Sequence, residues 1–300
     1  MKKITSSNGV NAMQIVTDRG CDLSPQQLEG LPPIHYVPMK LTLAGKTYSS
    51  GEDLSSEEFY RLLEETGEYP TTSQAGTGDF VELYRRLAQD DPEILSIHIS
   101  SGLSGTLNSA RVAAGMVPES NVTIWDTMTL SAPEGWQVEA AARAIKAGWE
   151  LKEIIALLEK VRNLTVGFFT LDTMKYLVHG GRISHLKGLL ASLLNIRPVI
   201  SVSKEDGRYV TMAQERTFRR AIQRMAQEVI KAYPQSRKLR LQLIHGHNPA
   251  GIELLREAME NLVECEWLPP VTVGAVLGAH TGSSLVGICA GPAELADLLP

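Results

Sequence analysis

Short β-branched and apolar runs alternate along this chain with longer stretches whose apolar residues recur at helical spacing. The runs Gln14–Thr17, Ile94–Ile99 and Val122–Trp125 read as strands, and the amphipathic segments between them as helices. That alternation predicts an α/β fold. Helix starts are marked by Ser24-Pro25, a cap before a proline, and by the capping box Ser55-Ser56-Glu57-Glu58. Val37–Tyr48 reads as two strands around Ala44-Gly45, and Ile196–Gln214 as two more around Glu205-Asp206-Gly207, so each half carries a hairpin. Helices are expected over Pro133–Lys146 and Leu151–Val161, after which Val166–Thr170 opens a fresh buried strand. We therefore divide the chain near residue 160 into two α/β domains, 1–160 and 161–300, with a cleft or tunnel between them. The second half continues with helices at Phe218–Ala232 and Pro249–Leu262 and strands at Leu239–His245 and Thr272–Ala279.

Composition narrows the function. With 300 residues and 43% hydrophobic side chains the chain can bury a large core. Its 29 basic and 34 acidic residues leave a formal charge of -5, which argues against a nucleic-acid partner. The three cysteines, Cys21, Cys265 and Cys289, are far apart and form no CxxC, as expected of a reducing cytosol. The opening MKKITSSNGVNAMQIV has no uninterrupted apolar stretch of signal-peptide length, so a cytoplasmic protein is expected. The most apolar stretches, Leu186–Ile200 and Val271–Ala290, are broken by Lys187, Arg197, His280 and several glycines, so no transmembrane segment is expected.

Several familiar signatures fail on spacing. Gly45-Lys46-Thr47 ends like a phosphate-binding loop, but the first glycine of that motif would fall at Lys40, and a hairpin turn explains the triplet better. Gly102-Leu103-Ser104-Gly105 places its second glycine one residue early for a nucleophile elbow. Gly76-Thr77-Gly78 lacks the third glycine of a dinucleotide site. His245-Gly246-His247 has no carboxylate or cysteine at ligand spacing, so no metal is expected.

Two hydroxyl-rich loops remain, Thr71-Thr72-Ser73-Gln74 and Ser100-Ser101-Gly102-Leu103-Ser104-Gly105-Thr106, each leading into a helix. Such loops cap helices routinely, but they also offer free N–H groups to an anion such as a carboxylate or phosphate. His280 begins a further loop with Thr281, Gly282, Ser283 and Ser284, and Gly180-Gly181-Arg182-Ile183-Ser184 combines close backbone approach with an arginine that could clamp an oxyanion.

Together these residues resemble the DegV family, whose best-understood members are lipid-carrier subunits of bacterial fatty acid kinase. The resemblance runs from Val16-Thr17-Asp18 and Asp22-Leu23 through Pro70-Thr71-Thr72-Ser73-Gln74, Ser100–Thr106 and Trp125-Asp126-Thr127. It continues through Tyr176-Leu177, Gly180–Ile183 and Arg197-Pro198 to Gly278-Ala279-His280. It implies a two-domain α/β protein that buries one long-chain fatty acid between its lobes, with no cofactor beyond that ligand and no catalytic residue of its own. It implies carboxylate contacts from Thr72, Ser73, Ser101 with the Gly102 backbone, His280 and Thr281, and it places Arg182 where phosphate or a separate dihydroxyacetone-kinase-like subunit would meet the exposed end. Segments such as Val166–Phe169 or Leu186–Ile196 are candidate tunnel lining. Three positions depart from the family pattern: Arg19 where serine often follows Thr-Asp, Ala75 where proline is usual, and Gly282-Ser283-Ser284 in place of glycine-proline-glycine. The competing expectations are a serine-dependent acyl hydrolase using Ser101 or Ser104 with His280, and a lipid or small-molecule sensor without kinase coupling.

Overall fold

A computed structural model describes residues 13–186 and 196–300. In the first half the strands are β1 (Gln14–Thr17), β2 (Ile34–Tyr36), β3 (Lys40–Leu43), β4 (Lys46–Ser49), β5 (Thr71–Ser73), β6 (Glu93–His98) and β7 (Asn121–Asp126). Four of them form an all-parallel sheet in the order β2-β1-β6-β7. Alternate residues of these strands leave on opposite faces. Val16 and Ile94 meet the helices Thr77–Leu87 and Thr106–Ala114, whereas Ile15, Leu95 and Ile97 meet the helices Ser131–Lys146 and Leu151–Leu164. Burial on both faces explains why these strands read as apolar runs rather than alternating ones.

The second half contributes β8 (Val166–Thr170), β9 (Arg197–Val202), β10 (Tyr209–Glu215), β11 (Lys238–His245), β12 (Glu264–Thr272) and β13 (Val286–Pro292). They form a mixed sheet in the order β10-β9-β8-β13-β11-β12, in which only β11 and β12 run parallel. Its outer face buries Phe168, Val199, Leu241 and Ile288 under the helices Phe218–Ala232 and Pro249–Glu260. Its inner face packs on the Ser131–Lys146 helix, where Trp136 Nε1 donates to Gln242 Oε1 at 2.6 Å. That helix is therefore a shared middle layer, buried along almost its whole length between two sheets.

A third sheet, β4-β3-β5, is antiparallel. The β3–β4 turn carries Ala44 at φ 52° and Gly45 at φ 73°, the left-handed pair a two-residue hairpin needs, so Gly45-Lys46-Thr47 is a turn. Leu41 and Leu43 bury Phe59 and Tyr60 of the Ser56–Thr66 helix together with Ala275 and Ala279 from far along the chain. One sequence expectation is corrected here. The strand drawn over Thr272–Ala279 is absent: β12 ends at Thr272, and after Gly274 the chain forms a helix, Ala275–Thr281. All seven residues of that helix are buried, and a short run buried all round has no periodicity to separate strand from helix. His280 thus ends a helix rather than a strand. Among the described residues no helix is long and apolar enough to cross a membrane.

Candidate functional site

The helix Ala275–Thr281 crosses from the second half onto the three-stranded sheet of the first and carries His280 to β5. There Thr72 Oγ1 and His280 Nε2 lie 2.8 Å apart, although the two residues are separated by 208 positions. His280 is 8% exposed, and its Nδ1 has no hydrogen-bond partner among the described residues. The ring is backed by Gly180, where a Cβ would stand 2.8 Å from His280 Cε1 and closer still to Nδ1. The glycine is thus required by close approach, as its sequence context suggested. Gly181, at φ 74°, turns the chain into Arg182, whose Nη1 donates to the Gly180 carbonyl at 2.6 Å. Burial, with the positive charge of Arg182 and the neighbouring His179, pulls the His280 pKa down to about 4, so the imidazole is neutral at pH 7.

The second hydroxyl loop is pinned from both sides. Ser100 Oγ donates to the Gly207 carbonyl at 2.7 Å and accepts from the Gly102 N–H at 3.1 Å. Gly102 lies directly against the Asp206–Gly207 turn between β9 and β10, with a Cβ at Gly102 only 2.7 Å from the Gly207 carbonyl carbon. On the other side Gln74 Nε2 donates to Ser109 Oγ at 3.1 Å, and the Gln74 amide covers Gly105, which joins the two predicted loops. Of the residues singled out from sequence, the structure brings Thr72, His280 and Arg182 together around one buried imidazole. Thr281 is buried beside them with its hydroxyl donating back to the Leu277 carbonyl at 3.1 Å. Ser73 and Ser101 are exposed, and neither hydrogen-bonds His280; the Ser101 N–H lies 3.4 Å from each Asp126 carboxylate oxygen. From sequence Ser100 and Gly207 stood out only as members of a loop and a hairpin turn, and His179 not at all, because their roles come from contacts between distant segments.

From Thr281 an apolar slot of about 40 Å³ runs between the halves, walled by Leu277, Val273, Leu130, Phe169 and Tyr209. Gly167 and Phe168 also line it, so the Val166–Phe169 segment is part wall and part core. The other lining candidate, 186–196, lies mostly outside the described residues, which omit 187–195.

The hydrolase expectation finds no support in this geometry. Ser104 Oγ is 2.9 Å from Thr106 Oγ1, and neither Ser101 nor Ser104 hydrogen-bonds a histidine among the described residues. A Ser–His–Asp relay does exist elsewhere: Ser96 Oγ to His98 Nε2 at 2.6 Å and His98 Nδ1 to Asp18 Oδ2 at 2.9 Å. All three residues are 0% exposed, and Tyr84 OH engages Ser96 Oγ at 2.7 Å. The relay ties β1 to β6 inside the core, where no substrate reaches it.

Comparison with known proteins adds three findings. The DegV family, described as a family of uncharacterised proteins, matches residues 12–293. DegV domain-containing proteins of Staphylococcus aureus and Deinococcus radiodurans are 33% identical over 274 residues and 32% identical over 278 residues, covering 91% and 93% of this chain and 96% and 95% of those relatives. Among solved structures, a fatty-acid-binding DegV family protein from Thermus thermophilus superposes with a TM-score of 0.83 at 30% identity, covering 94% of this chain and 99% of that one. DegV of Bacillus subtilis, a fatty acid binding protein, superposes at 0.83 with 28% identity, covering 93% and 99%.

Proposed function

This chain belongs to the DegV family, and on that premise we propose that it binds one long-chain fatty acid and holds the carboxylate for phosphorylation by a separate kinase. The observation that carries the reading is the contact of half-buried Thr72 with the buried, neutral His280, which adjoins Thr281 in the wall of an apolar slot. A polar pair beside a greasy channel suits an amphiphile with a small anionic head. The two fatty-acid-binding structural relatives support the ligand class.

The energetics allow it. Burying about fourteen methylenes at about 0.8 kcal/mol each supplies roughly 11 kcal/mol before ordering and association costs. Each hydrogen bond to the charged head returns about 1.5 to 3 kcal/mol against its desolvation. At about 40 Å³ the slot is far below the roughly 300–1,000 Å³ of an ordinary small-molecule site, so the chain enters by parting wall residues such as Leu277 and Phe169. Arg182, beside the imidazole and held by its bond to the Gly180 carbonyl, supplies the positive charge that an incoming phosphoryl group or kinase surface would meet.

Native mass spectrometry of the purified protein, followed by organic extraction, tests the ligand. A stoichiometric fatty acid is expected. A protein that arrives empty and takes up no added fatty acid would overturn the reading. The kinase step is tested by incubating the loaded protein with candidate kinase and ATP: acyl phosphate that falls in Arg182→Ala supports it, whereas a loaded protein that no candidate kinase uses favours the sensor alternative.

A further inference from the structure

At the other end of the Ala275–Thr281 helix, about 10 Å from His280 by helical rise, lies a second pocket of about 420 Å³. It opens at the carboxyl ends of β1 and β2, the edge of a parallel sheet where ligands bind in α/β proteins. Arg19, Tyr36, Ser50, Gly51, Ser56 and Thr272 are in its wall. Such a volume lies in the ordinary range for a small-molecule site, roughly 300–1,000 Å³.

Arg19 is the unusual member. Its guanidinium is stacked on the Tyr36 ring at 4.1 Å. Its other side rests on Gly51, where a Cβ would come within 2.7 Å of Cζ; Gly51 is also left-handed, at φ 74°. The plate is therefore held between a ring and a residue that must be glycine. Yet its only hydrogen bond among the described residues is a long one, Nη2 to the Gly51 carbonyl at 3.4 Å, and no carboxylate pairs with it. Its Nε is buried without a partner. Asp22 lines the same pocket, but both its oxygens are engaged, Oδ1 by the Gly274 N–H at 2.9 Å and Oδ2 by the Ser131 hydroxyl at 2.6 Å. Arg19 is left as the one uncommitted charge facing the pocket among the described residues. A planar guanidinium fixed in place without a counter-ion matches the two-oxygen face of a carboxylate or phosphate.

We propose that this pocket is a second ligand site, separate from the Thr72–His280 site, that takes a small oxyanion or the oxyanion group of a small molecule on Arg19.

The test uses the full-length protein titrated calorimetrically with inorganic phosphate and, separately, with acetate, in parallel with fatty-acid content. Saturable binding of at least one anion is expected, and whichever binds names the class. Arg19→Gln keeps most of the side chain's packing but removes the charge, and should weaken that binding about tenfold or more, in line with the loss of a charge-assisted hydrogen bond. Arg19→Lys, which keeps the charge but loses the fork, should fall between. Fatty-acid content should be unchanged in both variants, which separates this proposal from the lipid reading. Absence of saturable binding for both anions, or binding that persists unchanged in Arg19→Gln, overturns it.

Discussion

Replacing Thr72 by valine tests the head-group pair most directly. Valine keeps the β-branched shape that suits β5, opposite Leu41, and deletes only the hydroxyl. In the free protein the change leaves His280 Nε2 unpaired at 8% exposure, which costs about 1–3 kcal/mol of stability. In the complex it also removes a donor to a charged carboxylate, worth about 1.5–3 kcal/mol, so the fatty-acid Kd should rise roughly tenfold to 150-fold. Protein stripped of lipid is titrated with fatty acid by calorimetry, and its unfolding is followed in urea. Thr72→Ser restores the hydroxyl and should recover most of the affinity. A folded Thr72→Val protein with a Kd within twofold of wild type would refute the assignment of Thr72 to the head group.

Gly180→Ala should drive a methyl into His280 Nδ1, displace the ring and break the Thr72 contact. An overpacking cost of about 1–3 kcal/mol is expected, together with loss of co-purifying lipid; unchanged lipid content would show that the ring need not sit where it does. His280→Gln and Asp22→Asn should tilt the pH dependence of stability in opposite directions. His280 falls from 6.5 to about 4, so the unfolded chain takes up a proton that the folded one refuses, and stability is lost as pH drops from 6.5 towards 4, by up to about 3 kcal/mol. Asp22 rises from 3.8 to about 6 through burial, so its folded form holds a proton longer and stability is lost as pH rises from 3.8 towards 6, by a similar amount. Urea titrations of lipid-free protein at pH 4.5 and 6.5 should show the stability gain with pH shrinking in His280→Gln and growing in Asp22→Asn; parallel slopes in all three proteins would contradict both assignments. Glu134 is 0% exposed, neither carboxyl oxygen has a partner among the described residues, and burial with Asp18, Asp22 and Asp126 nearby pushes its pKa well up. Glu134→Gln should therefore gain on wild type as pH rises from 5 to 8 in the same assay, and a pH-independent difference would argue against a buried neutral acid.

The fold class was legible because parallel strands buried on both faces read as apolar runs and their helices carry clear caps. Ser24 and Ser55 cap as predicted, each in a reciprocal box with the residue three positions on. The turn residues Ala44-Gly45 and Asp206-Gly207 marked both hairpins. The helix carrying His280 was misread for the same reason that others were read correctly: pattern reveals which face is buried, and seven residues buried all round show no face. Thr72 and His280 could be named through family resemblance, but not their contact across 208 positions, nor the backing role of Gly180. The clamp of Ser100 and Gly102 on Gly207 is likewise a meeting of two loops, invisible to any local window.

The proton on His280 has a definite place in this arrangement. A neutral imidazole carries one N–H, on Nδ1 or on Nε2. Were it on Nδ1, a buried donor would face Gly180 with no acceptor, at a cost of about 1–3 kcal/mol. With the proton on Nε2, the bond at 2.8 Å runs from His280 to Thr72 Oγ1, and the threonine's own hydrogen is free to turn outward. Doubly protonated His280 would bring back the orphaned Nδ1–H beside a nearby arginine, which is how burial and positive charge together hold the pKa low. On the reading proposed above, Thr72 then donates to the fatty-acid carboxylate with its oxygen already polarised by the imidazole behind it. Neutral donors of this kind hold a carboxylate without the full counter-charge of an arginine pair, so its oxygens keep the electron density that attack on a phosphoryl group requires. On the same reading Arg182, tied to the Gly180 carbonyl beside the imidazole, completes a division of labour: the histidine-backed hydroxyl for the carboxylate, the guanidinium for the phosphate.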